Sequence, residues 1–190
     1  MPQRSHRAAI LATAESLLRR DGPAAVSVAD ITTAAGVPKG SFYNHFESKE
    51  ALLAEIVEQY GRGIDLTTLD GPGSAPERLR AHFAACAERL TTDTGFGSLL
   101  AGAAAGTPVV RTSRVLQSVR VGLAVWSRAV AAVVAEGQEQ GDFRPGRSAS
   151  EIASALIETF EGAAVLARAT RDHAAPSRHV ALLIDALRAP

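Results

Sequence analysis

The chain predicts an all-α fold, and three observations carry that prediction. Apolar residues recur at spacings of three and four along most of the 190 residues, as the buried faces of helices do. Alternating β-branched runs bounded by turn residues are nearly absent. Gly and Pro punctuate the periodic segments, at Gly22-Pro23, at Gly36 and Pro38, and through 70–76. About nine helices result.

The first helix spans about 4–20, with Ile10, Ala14, Leu17 and Leu18 on one side. Gly22 suits the left-handed position past its end, and Pro23 cannot continue it. Ser27, with Asp30 three residues on, caps a short second helix. Gly36 ends that helix, and Pro38 opens a third that runs to His45 or Phe46. Ser48 caps a fourth, with Leu52, Leu53, Ile56, Val57 and Tyr60 as its apolar side. The loop at 70–76 precedes helices at about 76–91, 96–105, 109–140, 148–170 and 176–188. No internal repeat is present.

With 46% apolar residues and 20 Lys+Arg against 20 Asp+Glu, the composition excludes a disordered, single-sign tail protein. No run approaches 18 uninterrupted apolar residues, and the polar N-terminus lacks a signal-peptide pattern, so no membrane partner and a cytoplasmic location are expected. Cys86 is the single cysteine, which removes an intrachain disulfide and a cysteine-rich zinc site. Zero net charge argues, at face value, against a nucleic-acid partner. The local distribution says otherwise. No acid precedes Glu15, none lies between Val37 and Phe46, and Arg4, His6, Arg7, Lys39 and His45 fall in those two acid-free stretches.

Residues 28–46 have the organisation of a helix, a tight Gly-containing turn and a second helix, the geometry that places the second helix in a DNA major groove. Ile31, Ala34, Ala35, Val37, Phe42 and Phe46 have the spacing to pack this pair on the first helix. Phe42 and Phe46 are expected to be buried and Tyr43 exposed. Lys39, Ser41, Tyr43, Asn44 and His45 lie between the packing positions, and each can hydrogen-bond a phosphate or a base edge. Gly40 permits close approach of the backbone to DNA.

Through these residues the sequence resembles the TetR family of bacterial transcriptional regulators. The likeness covers 7–60 and is most specific at Lys39-Gly40-Ser41-Phe42-Tyr43-Asn44-His45-Phe46, followed by Lys49-Glu50-Ala51-Leu52. It implies an N-terminal three-helix DNA-binding domain over 1–48 and a larger effector-binding and dimerisation domain over 49–190. It also implies a homodimer on a palindromic double-stranded operator, usually a repressor, released by a small-molecule effector, with no enzymatic activity and no cofactor. Carried over by residue, Lys39, Tyr43, His45 and Lys49 would contact phosphate, and Tyr43 and Ser41 would approach base edges. Thr32 and Thr33 are further DNA-contact candidates. Position 44 is Tyr or His in many members; Asn44 here can pair with adenine in two hydrogen bonds.

Phe83, Cys86, Phe96, Leu100, Leu116, Leu123, Trp126, Phe160 and Glu161 are the candidates for an effector cavity, with ordinary core as the alternative for each. His82 and Cys86, four apart on one helix, can also be read as a metal site or a base–nucleophile pair. Glu158 and Glu161 lie one turn apart on an apolar helix. Ile152, Leu156, Ala163, Val180, Leu183, Ile184 and Leu187 of the last two helices are expected to form the dimer interface, because the final helix is apolar over most of its surface. Gly61 and Gly63 weaken the fourth helix and suggest a bend there. The rival reading is a ligand-binding or enzymatic helical bundle that happens to contain a helix-turn-helix.

Overall fold

A computed structural model describes residues 6–90, 99–106 and 113–189. Among them are nine α-helices: α1 (His6–Asp21), α2 (Val28–Ala34), α3 (Lys39–Tyr43), α4 (Lys49–Arg62), α5 (Ala75–Leu90), α6 (Leu99–Gly106), α7 (Arg114–Gln140), α8 (Ala149–Thr170) and α9 (Ala175–Leu187). A single 3-10 turn at Thr67–Asp70 precedes α5. No strand occurs in the described residues; the pairing of Phe143 with Arg188 is an isolated bridge.

The predicted caps and breaks are largely where the chemistry put them. Ser27 accepts from the Asp30 backbone N–H while the Asp30 carboxylate accepts from the Ser27 N–H, a reciprocal capping box. Ser148 and Glu151 repeat the device at α8. After α2, Gly36 takes φ +66°. The Val37 N–H then reaches the Thr32 carbonyl at 3.0 Å and the Gly36 N–H the Thr33 carbonyl at 3.1 Å, a Schellman ending that requires the left-handed residue between them. α3 is shorter than expected: after Tyr43 the chain tightens, and the His45 and Phe46 N–H groups share the Phe42 carbonyl.

Two compact units are present. The first comprises 6–62, 99–106 and 113–122 of the described chain, and the second 63–90 and 123–189. α4, α6 and the start of α7 thus belong with the helix-turn-helix, whereas the sequence suggested a division at 48/49.

In the first unit α1 packs on α2, α3, α4 and α6. Ile10, Ala14, Ile31, Phe42, Leu52 and Val57 are fully buried there. Ala34 is exposed and Ala35 and Val37 are half-buried, so Ala34 does not pack as its spacing suggested. Arg19 is buried at 8% exposure because its guanidinium pairs with Glu15 at 3.0 Å and lies 5.0 Å from the Tyr60 ring centre. α4 and α7 come close at two glycines: a Cβ on Gly61 would stand 3.3 Å from the Gly122 Cα. Gly61 therefore serves a close crossing as well as loosening its helix.

In the second unit α9 packs on α8 and α5. Leu79, Phe83, Trp126, Val130, Leu156, Phe160, Val180 and Ile184 form the core. Gly137 of α7 sits where a Cβ would come within 2.6 Å of the Ala75 Cβ and 2.7 Å of Phe143 Cδ2. By length and composition α7 could cross a bilayer, a property no uninterrupted apolar run in the sequence displays. In this fold its Trp126, Val130 and Val134 are buried.

Candidate nucleic-acid interface and sensing core

The segment 39–46 divides cleanly between inward and outward side chains. Phe42 is fully buried and Phe46 is 5% exposed, with ring centres 5.6 Å apart. Removing a ring as buried as Phe42 costs about 3–5 kcal/mol, so the segment is firmly anchored. Lys39, Gly40, Tyr43, Asn44 and His45 are exposed, Tyr43 at 57%. Tyr43 packs its edge on Phe42 at 5.2 Å, which steadies the phenol without burying it. Ammonium, phenol, amide and imidazole groups thus share one outward surface with no carboxylate between Val37 and Phe46. Such a surface can bind phosphate oxygens and base edges. Thr33 is also exposed.

Three expected DNA ligands are otherwise engaged. Thr32 is 3% exposed, and its hydroxyl donates to the Val28 and Ala29 carbonyls of its own helix. A threonine at that depth bonds backward because no water reaches it. Ser41 is 9% exposed, with Oγ 2.8 Å from His6 Nδ1. Lys49 Nζ donates to the Pro23 and Val26 carbonyls at 2.9 and 2.8 Å, tying the α1–α2 loop to α4. Arg7, counted by sequence as part of a positive patch, has its charge met by Glu55: Nη2 lies 2.8 Å from both carboxylate oxygens. Its guanidinium also sits 5.1 Å from the Phe46 ring centre. Arg4 lies outside the described residues.

The effector candidates are distributed over both units. Leu100 and Leu116 are buried in the first; Phe83, Cys86, Leu123, Trp126, Phe160 and Glu161 belong to the second, and Phe96 lies outside the described residues. Phe83, Trp126 and Phe160 are in mutual contact, with ring centres 5.5–5.8 Å apart. Leu123 and Glu161 are half-buried, and Glu158 is exposed. The two glutamates thus face different surroundings.

His82 holds this core together. It is fully buried, accepts at Nε2 from the Trp126 indole N–H at 2.7 Å, and has Nδ1 2.9 Å from Thr68 Oγ1. An indole nitrogen only donates, so Nε2 carries no proton and the neutral ring keeps its hydrogen on Nδ1, facing Thr68. Burial pushes the His82 pKa down to about 4, against the opposing effects of the Asp65 backbone and carboxylate. Cys86 Sγ lies 3.7 Å from the same Nε2. Burial raises the thiol to about 12, with Glu161 and Asp65 adding to the rise and Arg89 opposing it. A protonated thiol beside an imidazole nitrogen already bonded to Trp126 is no nucleophile–base pair. Among the described residues no three His, Cys, Asp or Glu side chains are placed to share a metal ion.

Each unit also has a surface groove. In the first, α4 and α7 flank about 650 Å³ lined by Ala54, Glu58, Arg62, Gln117, Ser118 and Val121 among others. In the second, a smaller one of about 280 Å³ lies along α5 and α9, with Phe83 and Val180 at its floor and Arg80 and Arg178 at its rim.

The seven residues expected at the dimer interface divide into five that the chain itself covers and two that it covers only in part. Ile152, Leu156, Ala163, Val180 and Ile184 are buried within the chain, where α8 and α9 pack on each other and α9 on α5. Leu183 and Leu187 are half-buried. Helical spacing identified an apolar face correctly but not which body covers it. The large apolar side chains left in solvent on these helices are Val165 (49%), Leu166 (67%) and Leu182 (62%).

With this geometry, the likenesses to known proteins are coherent. Residues 10–56 match the family model for bacterial regulatory proteins of the tetR family, and 75–183 match the tetracyclin repressor-like C-terminal domain. The chain is 33% identical over 169 residues to the HTH-type transcriptional repressor DhaR of Mycobacterium sp. (strain GP1), covering 85% of this chain and 81% of that one. It is 32% identical over 152 residues to the HTH-type transcriptional regulator EthR of Mycolicibacterium smegmatis, covering 78% and 68%. A TetR-family regulator from Agrobacterium tumefaciens superposes with TM-score 0.87 at 27% identity, covering 98% of this chain and 99% of that one. The reduced form of Escherichia coli NemR shares the fold with TM-score 0.82 at 22% identity, covering 98% of each chain. The family and these relatives regulate transcription through DNA binding and are not enzymes. The chain belongs to the TetR family of helix-turn-helix transcriptional regulators.

Proposed function

We propose that the protein is a cytoplasmic, homodimeric repressor that binds a palindromic operator and is released by a small, largely apolar or amphipathic effector. The observation that carries the reading is the division of segment 39–46: Phe42 and Phe46 anchor it, and Lys39, Tyr43, Asn44 and His45 face outward with no acid among them. Thr33 and Gly40 complete the DNA-facing set. The naming of the relative DhaR as a repressor supports the sign of regulation. Val165, Leu166 and Leu182 supply the self-complementary apolar face that a two-fold partner would cover. The effector acts on the second unit, at the groove along α5 and α9, where Phe83 and Val180 supply apolar lining and Arg80, Ser177 and Arg178 the few polar groups such a site needs.

The test is to select DNA from a random pool with the purified protein and measure binding to the selected sequence across salt concentrations. A palindrome with half-sites about one helical turn, roughly 34–36 Å, apart or a multiple of that is expected. Lys39→Ala should weaken binding and reduce the slope of log affinity against log salt by about two, one phosphate per head. An unchanged slope would refute the assignment of this surface.

A further inference from the structure

The start of α3 is oriented from outside the helix. α3 has only five residues, and Pro38 before it provides no side-chain cap. Gly40 has no neighbour within 4 Å of where its Cβ would be, so it restrains nothing. Phe42 and Phe46 anchor the segment by apolar packing, which is non-directional and sets its roll only loosely. The second restraint is Ser41, whose Oγ is 2.8 Å from Nδ1 of His6, the first residue of α1. The next residue, Arg7, holds the far end through Phe46 and joins it to α4 through Glu55. The first turn of α1 therefore grips the recognition segment at two points, five residues apart.

The magnitude of a roll is instructive. Side-chain tips lie about 5–6 Å from a helix axis, so a rotation of about 20° carries them about 2 Å, enough to break a hydrogen bond to a base edge. Lys39 and Tyr43 are on the same short helix as Ser41 and would move with it, and Asn44 directly follows. A serine hydroxyl both donates and accepts, so the His6–Ser41 bond forms with the imidazole nitrogen in either role.

We propose that His6 is a positioning residue for DNA recognition: by holding Ser41 it fixes the roll of α3 at which Lys39, Tyr43 and Asn44 meet the operator, without itself touching DNA. The inference rests on segment 39–46 being the DNA-facing surface.

The experiment is a double-mutant cycle on the full chain, measuring binding to the selected operator and to unrelated duplex by fluorescence anisotropy. His6→Ala and Ser41→Ala should each weaken operator binding roughly fivefold per head, the loss of one hydrogen bond, and so about twenty-fivefold for two heads. The double variant should lose no more than either single one. His6→Asn, whose amide reaches the Nδ1 position, should restore most of the loss. Binding to unrelated duplex and the salt slope should stay at wild-type values, because no charge is removed and the long, flexible Lys39 side chain still reaches a phosphate after such a roll, whereas base-edge contacts do not tolerate it. Additive losses in the double variant would overturn the proposal, as would a reduced salt slope in His6→Ala, which would make His6 a phosphate ligand. Loss in Lys39→Ala with none in His6→Ala overturns the role of His6 alone. Loss in neither overturns the reading of the recognition surface, and the role of His6 with it.

Discussion

Replacing His82 by Gln should flatten part of the dependence of stability on pH, by an amount the structure sets. The folded ring titrates at about 4, and an unfolded histidine near 6.5. Between those values the unfolded chain binds a proton that the folded chain refuses, so stability rises with pH across the window. It is complete above about pH 6.5 and lost as pH falls toward 4. The full shift corresponds to about 3 kcal/mol, of which about 2 to 2.5 is spent between pH 7 and pH 4.5. Acidification also weakens the carboxylates held low by hydrogen bonds, such as Asp30 to Ser27 and Glu151 to Ser148, but those losses are common to both proteins and cancel in the difference. Gln retains an oxygen that can accept from the Trp126 indole and does not titrate. The assay is urea unfolding at fixed protein concentration, followed by helical circular dichroism and by the fluorescence of Trp126, the single tryptophan. The stability advantage of wild type over His82→Gln should shrink by about 2 kcal/mol from pH 7 to pH 4.5. A difference that stays constant across that range would refute a buried, neutral His82.

Gly137→Ala should destabilise the protein by about 1–3 kcal/mol or more, because its methyl would lie 2.6 Å from the Ala75 Cβ and 2.7 Å from the Phe143 ring; an unchanged unfolding midpoint would contradict that packing. Leu166→Asp combined with Leu182→Asp should shift the protein toward monomer in sedimentation while leaving helical content intact, since both side chains are exposed within the chain. A dimer undisturbed by both would place the interface elsewhere.

Local chemistry was legible in the sequence, and it determined much of this protein. Gly36 ends α2 in a tight turn, Ser27 with Asp30 opens that helix, and the spacing of Phe42 and Phe46 marks which side of the recognition segment is buried. These depend on interactions within a few residues, so the order of residues suffices to read them. The fold class, the family and the outward donors Lys39, Tyr43, Asn44 and His45 all followed.

What the tertiary structure decided concerns residues whose partners are distant in the chain. Ser41 and Lys49 have hydrogen-bonding groups suited to DNA, yet His6, 35 residues away, takes the first, and carbonyls 26 and 23 residues away take the second. Thr32 differs: its partners are local, but burial alone turns its hydroxyl inward. The apolar stripe of α9 was plain in the sequence, but α8 and α5 of the same chain cover Val180 and Ile184 and leave Leu182 to solvent. Helical periodicity reports that a face must be buried and carries no information about what buries it. The same limit applies to His82 and Cys86, whose spacing permits a metal or a reactive pair. Only the Trp126 indole, 44 residues on, makes the imidazole a neutral acceptor in a packed core, because a hydrogen bond across the fold decides where its proton resides.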